Sequence, residues 1–292
     1  MEDELLRVLY HQLVADARGN GRGRCKFADG VIGFIYLLAV VHDRSPRWAI
    51  DKRHWPLWLR RVLQPPSYSQ LMRRLKTPLV QQHLRQLNQR WRDQLPRQRD
   101  KCCDGKPLVV GGFSKDPDAA WGKVPDGWAK GYKVHTVVDS LGAVEGFEVT
   151  PLNAAEAKVA GGIVAGLNLA GSVMRGDASY DANALYAVVH RRGGRLIAPR
   201  RKPGRGLGHH PQHPDRLRAI KELESDPRML KTHRRLRNCV EQRLAHLTNL
   251  PFGLAPLPNF VRRLRRVRLW VLGKIILYHV HRKLSLLNAQ AA

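Results

Sequence analysis

The chain has 292 residues, 43% of them hydrophobic, enough for a sizeable core and a second helical domain without disulfide support. Its 51 Lys and Arg outnumber 24 Asp and Glu, a formal net charge of +27 that points to a polyanionic partner, because each phosphate neutralised releases condensed counterions. Four cysteines (Cys25, Cys102, Cys103, Cys239) without a C-x-x-C exclude a disulfide framework and a zinc ribbon, and the longest apolar run, Val31 to Val41, is about half the ~20 residues a membrane span needs.

Acidic Glu2, Asp3 and Glu4 stand where an export signal carries basic residues, so the expected location is cytoplasmic, with no membrane partner. Residues 1–95 carry 17 basic and 8 acidic side chains, 96–180 carry 10 and 10, and 181–292 carry 24 and 6. A neutral, carboxylate-bearing middle between two basic arms suits a chemical centre that holds cations while its flanks grip phosphates.

The first 95 residues read as helices: Glu4 to Ala15, Val31 to Val41, His54 to Leu63, a stretch after Ser67, and Pro78 to Trp91. Ser67 or Ser69 is placed to cap a short helix presenting Arg73, Arg74 and Lys76, as a DNA-reading helix would. Pro96 and the charged residues after it mark a linker, and strand signals follow in CCDGKPLVVGG. Tyr132 to Val138 and Val144 to Thr150 then form a predicted hairpin around Asp139-Ser140-Leu141-Gly142.

Helix and strand alternate from there: a helix over Ala154 to Ala170, a strand over Gly171 to Gly176, a helix over Ala182 to Arg191, a strand over Arg195 to Pro199. Residues 200–213, rich in Gly, Pro and Arg, read as a basic loop. Helices return at Pro214 to Glu224, Leu230 to Leu247 and Phe260 to Leu284. In the last, Leu264, Val267, Val271, Ile275 and Tyr278 form an apolar stripe suited to cover a sheet face, leaving Arg262 and Arg263 for phosphates. The expected division is a helical DNA-binding domain over 1–95 and an α/β catalytic domain over 96–292.

Three acids are set apart by position. Asp104 stands at a strand edge, Asp177 follows the end of a predicted parallel strand, where open α/β sheets place their ligands, and Glu241 lies on a strongly patterned helix. Three carboxylates brought together repel unless cations lie between them, and hard oxygen ligands of this kind select Mg²⁺ or Mn²⁺. Two such ions suit phosphoryl transfer on nucleic acid. Arg237, four residues before Glu241, is placed to orient it or to meet a phosphate. Asp116 and Asp118 compete with Asp104 for the metal, Asp181 either supports the metal ligands from behind or caps a helix, His135 is structural or near DNA, and Asn153 and Glu156 cap the next helix.

The words DGKPLVVGGFSKDPDA, GYKVHTVVDSLGAVEGFEVTPLNAAE, GDASYDANALY and RNCVEQRLAHLTN resemble the DDE transposases of bacterial insertion sequences, in the superfamily with a tyrosine-arginine-glutamate-lysine signature. The resemblance implies a ribonuclease-H-like mixed sheet flanked by helices, preceded by an all-α domain. It also implies catalytic and metal-binding Asp104, Asp177 and Glu241 and a homodimer on double-stranded DNA, with Arg234 and Arg237 beside the glutamate as expected DNA contacts in addition to the Arg73, Arg74, Arg262 and Arg263 read from helix patterning. At the four signature positions this chain has Arg234, Arg237, Glu241 and Thr248, so the tyrosine and the lysine are replaced. The expected activity is metal-dependent cleavage at element ends and 3′-hydroxyl strand transfer. The alternatives are an endonuclease without strand transfer and an inactive DNA-binding protein. A tyrosine recombinase, suggested by His279-x-x-Arg282, lacks the downstream tyrosine nucleophile.

Overall fold

The computed structural model describes residues 2–15, 26–250, 252–254 and 256–291; the side chains of residues 15, 239–241, 243, 244 and 291 lie outside the described set. The chain divides into a helical unit (1–95, 249–254 and 258–292) and a sheet unit (96–248 and 255–257).

In the helical unit, α1 (Glu2–Tyr10) runs into a π turn, and α2 (Asp29–Val41) is buried along nearly its whole length, as its unbroken apolar run requires. Two short helices, α3 (Pro46–Ala49) and α4 (Leu57–Val62), precede α5 (Tyr68–Arg74), which Ser67 and Gln70 open with a reciprocal capping box. Then α6 (Pro78–Asp93) buries Val80, Leu84, Leu87 and Trp91.

The sheet unit holds β1 (Asp100–Val109), β2 (Ala120–Val124), β3 (Gly127–Asp139), β4 (Val144–Pro151), β5 (Val173–Arg175) and β6 (Arg195–Ile197). Around the long β3, β1 pairs antiparallel on one edge, while β2 and β4 share the other, with the N-terminal and C-terminal parts respectively. Beyond β1 come β5 and β6, both parallel to it. The helices α7 (Glu156–Ala165), α8 (Asn183–Arg191), α9 (Pro214–Ser225) and α10 (Pro227–Asn249) complete the unit. Val137, Val164, Met174, Tyr186, Val189 and Leu196 close its core between sheet and helices. This mixed sheet flanked by helices after a helical N-terminal region is the ribonuclease-H-like class expected from the sequence.

The β3–β4 hairpin turns where the sequence places it, with Gly142 at φ 97° and Asp139 Oδ1 accepting from the amides of Leu141 and Ala143. Two expectations change. Residues 120–124 form a strand, β2, that the sequence reading passed over, because its apolar alternation is broken by Gly122 and Lys123. The last helix, α11 (Leu264–Ala291), belongs to the helical unit, where it packs on α6 and α2. Every residue from Trp270 to Val280 is buried, including Lys274 and His279 off the apolar stripe, and a helix buried all round needs helices on several sides.

Candidate active site

The site follows from one register. β1 and β5 pair through Asp100↔Val173, Lys101↔Met174 and Cys102↔Arg175, and two residues further along each strand come Asp104 and Asp177. Asp104 lies within β1 and Asp177 follows the end of β5, each two residues past the last β1–β5 pair, where the strands run ~4.8 Å apart. Both are half-buried, and both bear on the same two groups. Burial pushes the Cys103 thiol well up, and Cys102, Asp104 and Asp177 add to the effect. The Tyr180 hydroxyl is raised likewise, by burial first and then by Cys103, Glu156, Asp104 and Asp177.

Asp177 caps the short 3₁₀ turn Ala178–Tyr180, its Oδ1 accepting the Ser179 amide at 2.7 Å and the Ser179 hydroxyl at 2.5 Å. The same hydroxyl lies against Glu156 Oε2, and Glu156 Oε1 accepts from Lys133 Nζ at 2.6 Å. Burial raises the Glu156 carboxyl, but hydrogen bonds from Lys133 and Ser179 outweigh it and hold the group below its ordinary value. Glu156 therefore joins the site by a chain running Lys133, Glu156, Ser179, Asp177. The sequence reading made it a helix cap, whereas α7 has no side-chain cap bond. The available signal was period two: Lys133 and His135 alternate with apolar residues along β3 and so share a face.

Glu241 lies on α10 with its side chain outside the described set. What places α10 is His233, whose buried Nε2 meets the Gly176 carbonyl, one residue before Asp177, at 3.2 Å. Glu241 is eight residues further along that helix, about 12 Å of rise. Burial draws His233 below its usual value, its bond to Gly176 opposes this, and the positive charges of Arg175, Arg237 and Arg234 lower it further.

Other expected residues have structural employment. Asp116 is buried, accepts the Tyr132 hydroxyl at 2.5 Å, and receives the Asp118 amide. Asp181 is not the N-cap of α8: both its oxygens bind Arg216, at 2.6 and 2.7 Å, and Oδ2 takes the Arg201 amide. His135 is buried, shares a hydrogen bond with Thr150, and is lowered to about 4 by burial and then Lys133. His213 caps α9, and Arg262 is held by the Pro258 and Val261 carbonyls. Arg74 pairs with Asp29 at 2.5 Å, while Arg73 is exposed. Arg263, at φ 74°, lines a cavity of about 290 Å³ in the helical unit with Lys76, Arg265, Arg266 and Trp270.

Among the described residues no group of three Asp, Glu, His or Cys side chains has the geometry to hold a metal ion. The donors at the strand ends are two hard carboxylates, the chemistry that Mg²⁺ or Mn²⁺ prefers. They fit such an ion as part of a set that needs a further ligand. No helix of the described residues is long and apolar enough to cross a membrane.

No curated protein matches the chain in sequence. Among solved structures, a piggyBac transposase synaptic complex with hairpin DNA is similar with a TM-score of 0.49 and 11% identity over 96% of this chain and 73% of that one. The transposase DDE domain model matches residues 96–279, more than half the chain and all of the sheet from β1 to β6. The chain thus belongs to the transposase DDE domain family.

Proposed function

We propose that this DNA transposase cuts the ends of an insertion sequence and joins the freed 3′-hydroxyl to target DNA, using Asp104, Asp177 and Glu241 to hold Mg²⁺ or Mn²⁺. The observation that carries the reading is the pair of aspartates two residues past the last pair of two adjacent parallel strands, one of them fixed in rotamer by Ser179. A pair of divalent ions, when bound, activates the attacking oxygen and stabilises the departing one.

The chain's own residues supply the rest. Ser179 holds Asp177 in one orientation, Lys133 keeps Glu156 ionised behind it, and His233 anchors α10 at Gly176. Arg175, Arg234 and Arg237 place positive charge next to the strand end, where a scissile phosphate would lie. Arg73 and the basic loop over 200–213 add salt-sensitive grip on double-stranded DNA, and pairing two ends calls for a homodimer.

The test is a product map. Purified protein with its element's end sequences and Mg²⁺ or Mn²⁺ should give nicked ends and joined products, and Asp104→Asn, Asp177→Asn and Glu241→Gln should each give neither while still binding the ends. Nicks without joined products would make the chain an endonuclease. Salt-sensitive binding without nicks would favour the non-catalytic reading that Thr248 and Arg234 suggest.

A further inference from the structure

Past Asp104, β1 continues for five residues to Val109, and β3 extends beyond it as a two-stranded ribbon with β2, closed by Pro125 and Asp126. The ribbon's register pairs Trp121 with Lys130 and Lys123 with Trp128. Opposed residues share a face, as do residues two apart, so these four occupy the corners of one square with the tryptophans on a diagonal. The other face presents Gly122 and is pressed against the chain: a Cβ there would stand 2.7 Å from the Leu152 side chain and 2.9 Å from its backbone. The aromatic face is therefore the outer one, with Trp121 53% and Trp128 71% exposed. Beside it, fully exposed Phe113 rides on a loop that Lys130 secures by donating to the Ser114 carbonyl at 2.6 Å.

Three exposed aromatic side chains on one small surface mark a contact site, since apolar area left in water is ordinarily scattered. Lysine alternating with tryptophan specifies the partner: indole faces stack on bases and ammonium groups meet phosphates. Bases inside a duplex offer no free face, so the ligand is DNA whose bases are unpaired. Diagonal positions on a ribbon are about 7–8 Å apart, near twice the ~3.5 Å contact distance, which leaves room for one base between two rings. Trp121 and Trp128 lie about 20 and 27 Å from Asp104 along the strands, on the side of the sheet where β1 and β5 end. That is roughly the length of six to eight stacked nucleotides of the strand being cut.

We propose that the β2–β3 ribbon captures unpaired bases of the DNA substrate by stacking them on Trp121 and Trp128, with Lys123 on the phosphate backbone. The proposal rests on the reading of the chain as a DNA transposase. Its test is binding of the full chain, without divalent metal, to a labelled paired duplex and to the same duplex carrying a short mismatched bubble, followed by fluorescence anisotropy. Wild type should prefer the bubble. The double variant Trp121→Ala/Trp128→Ala should lose roughly tenfold on the bubble and hold the paired duplex within about twofold, with unchanged thermal melting because both rings are exposed. Trp121→Phe/Trp128→Phe should keep most of the preference.

No preference in wild type, or an alanine variant that keeps it, overturns the proposal. So does loss of self-association in sedimentation with unchanged DNA binding, which would make the ribbon a contact between copies of this chain. Cleavage with Mg²⁺ on the same preparations separates the two readings. Cleavage without tryptophan-dependent binding removes only the ribbon, and tryptophan-dependent binding without cleavage removes only the metal chemistry.

Discussion

The two units bury different sets of ionisable groups. The sheet unit buries five acids, Asp116, Asp139, Glu145, Asp181 and Asp215, together with Lys101, His135 and His233, whereas the buried ionisable groups described in the helical unit include the basic Lys274 and His279. Each of the five acids has donors: the Tyr132 hydroxyl for Asp116, three backbone amides for Asp139, Lys101 for Glu145, Arg216 for Asp181, and His190 with Arg218 for Asp215. Asp104 and Asp177 differ in being half-buried, each two residues past the last β1–β5 pair. The five buried acids are each met by donors within the sheet unit, while Asp104 and Asp177 keep part of their surface in solvent. The difference separates structural carboxylates from candidate catalytic ones.

That separation breaks if both kinds respond alike to neutralisation. Asp177→Asn should abolish cleavage and leave the midpoint of urea unfolding unchanged or raised, because it removes one of two neighbouring like charges. Asp181→Ala should do the reverse at the level of folding. Stripping the buried partner from Arg216 should cost about 3–5 kcal/mol in the same titration, and adding Arg216→Met should recover part of it. Equal stability losses in the two variants would erase the distinction.

The next effect is smaller and concerns what stands behind Asp177. Outer partners of a metal ligand are worth 10–100-fold in affinity as a rule of thumb. Glu156→Ala and Ser179→Ala should therefore raise the Mn²⁺ concentration needed to stabilise the protein in a thermal titration by roughly that factor. Glu156→Gln, which keeps the contact to Ser179, should fall between. A thermal titration identical to wild type would leave Glu156 a simple ion-pair partner of Lys133.

How much of this could be read in advance depended on whether the cause was local. The capping box at Ser67, the turn at Gly142 and the strand–helix order from 127 to 197 are written in short-range chemistry, and the elements fall within a few residues of their expected bounds. The placing of Asp177 after a parallel strand was legible for the same reason. Long-range pairing was not. Nothing near Asp181 announces Arg216, 35 residues on, and nothing near Glu156 announces Ser179. For α11 the stripe was real, yet the flanking Trp270, Leu272 and Ile276 are buried as well, which only the three-dimensional neighbours could decide. β2 escaped because the ribbon gains its apolar contact through a glycine, Gly122, that contributes no hydrophobic signal.

The helical unit provides the mildest test, through pH. His279 is fully buried, its Nδ1 bonded to Asn88 at 3.0 Å, and burial, followed by Arg92 and Arg282, lowers it to about 3. The unfolded chain's imidazole titrates near 6.5, so as pH falls the unfolded state takes up the proton first. This histidine's contribution is then fully present above about pH 6.5 and declines from there towards about pH 3. Between about pH 7 and 5.5 the loss should be about 1 kcal/mol, and His279→Gln should flatten that part of the curve. Were wild type and variant to lose stability in parallel over this range, His279 would be taking up a proton in the folded state, and the helical unit would not be keeping that basic group neutral in its interior as its burial requires.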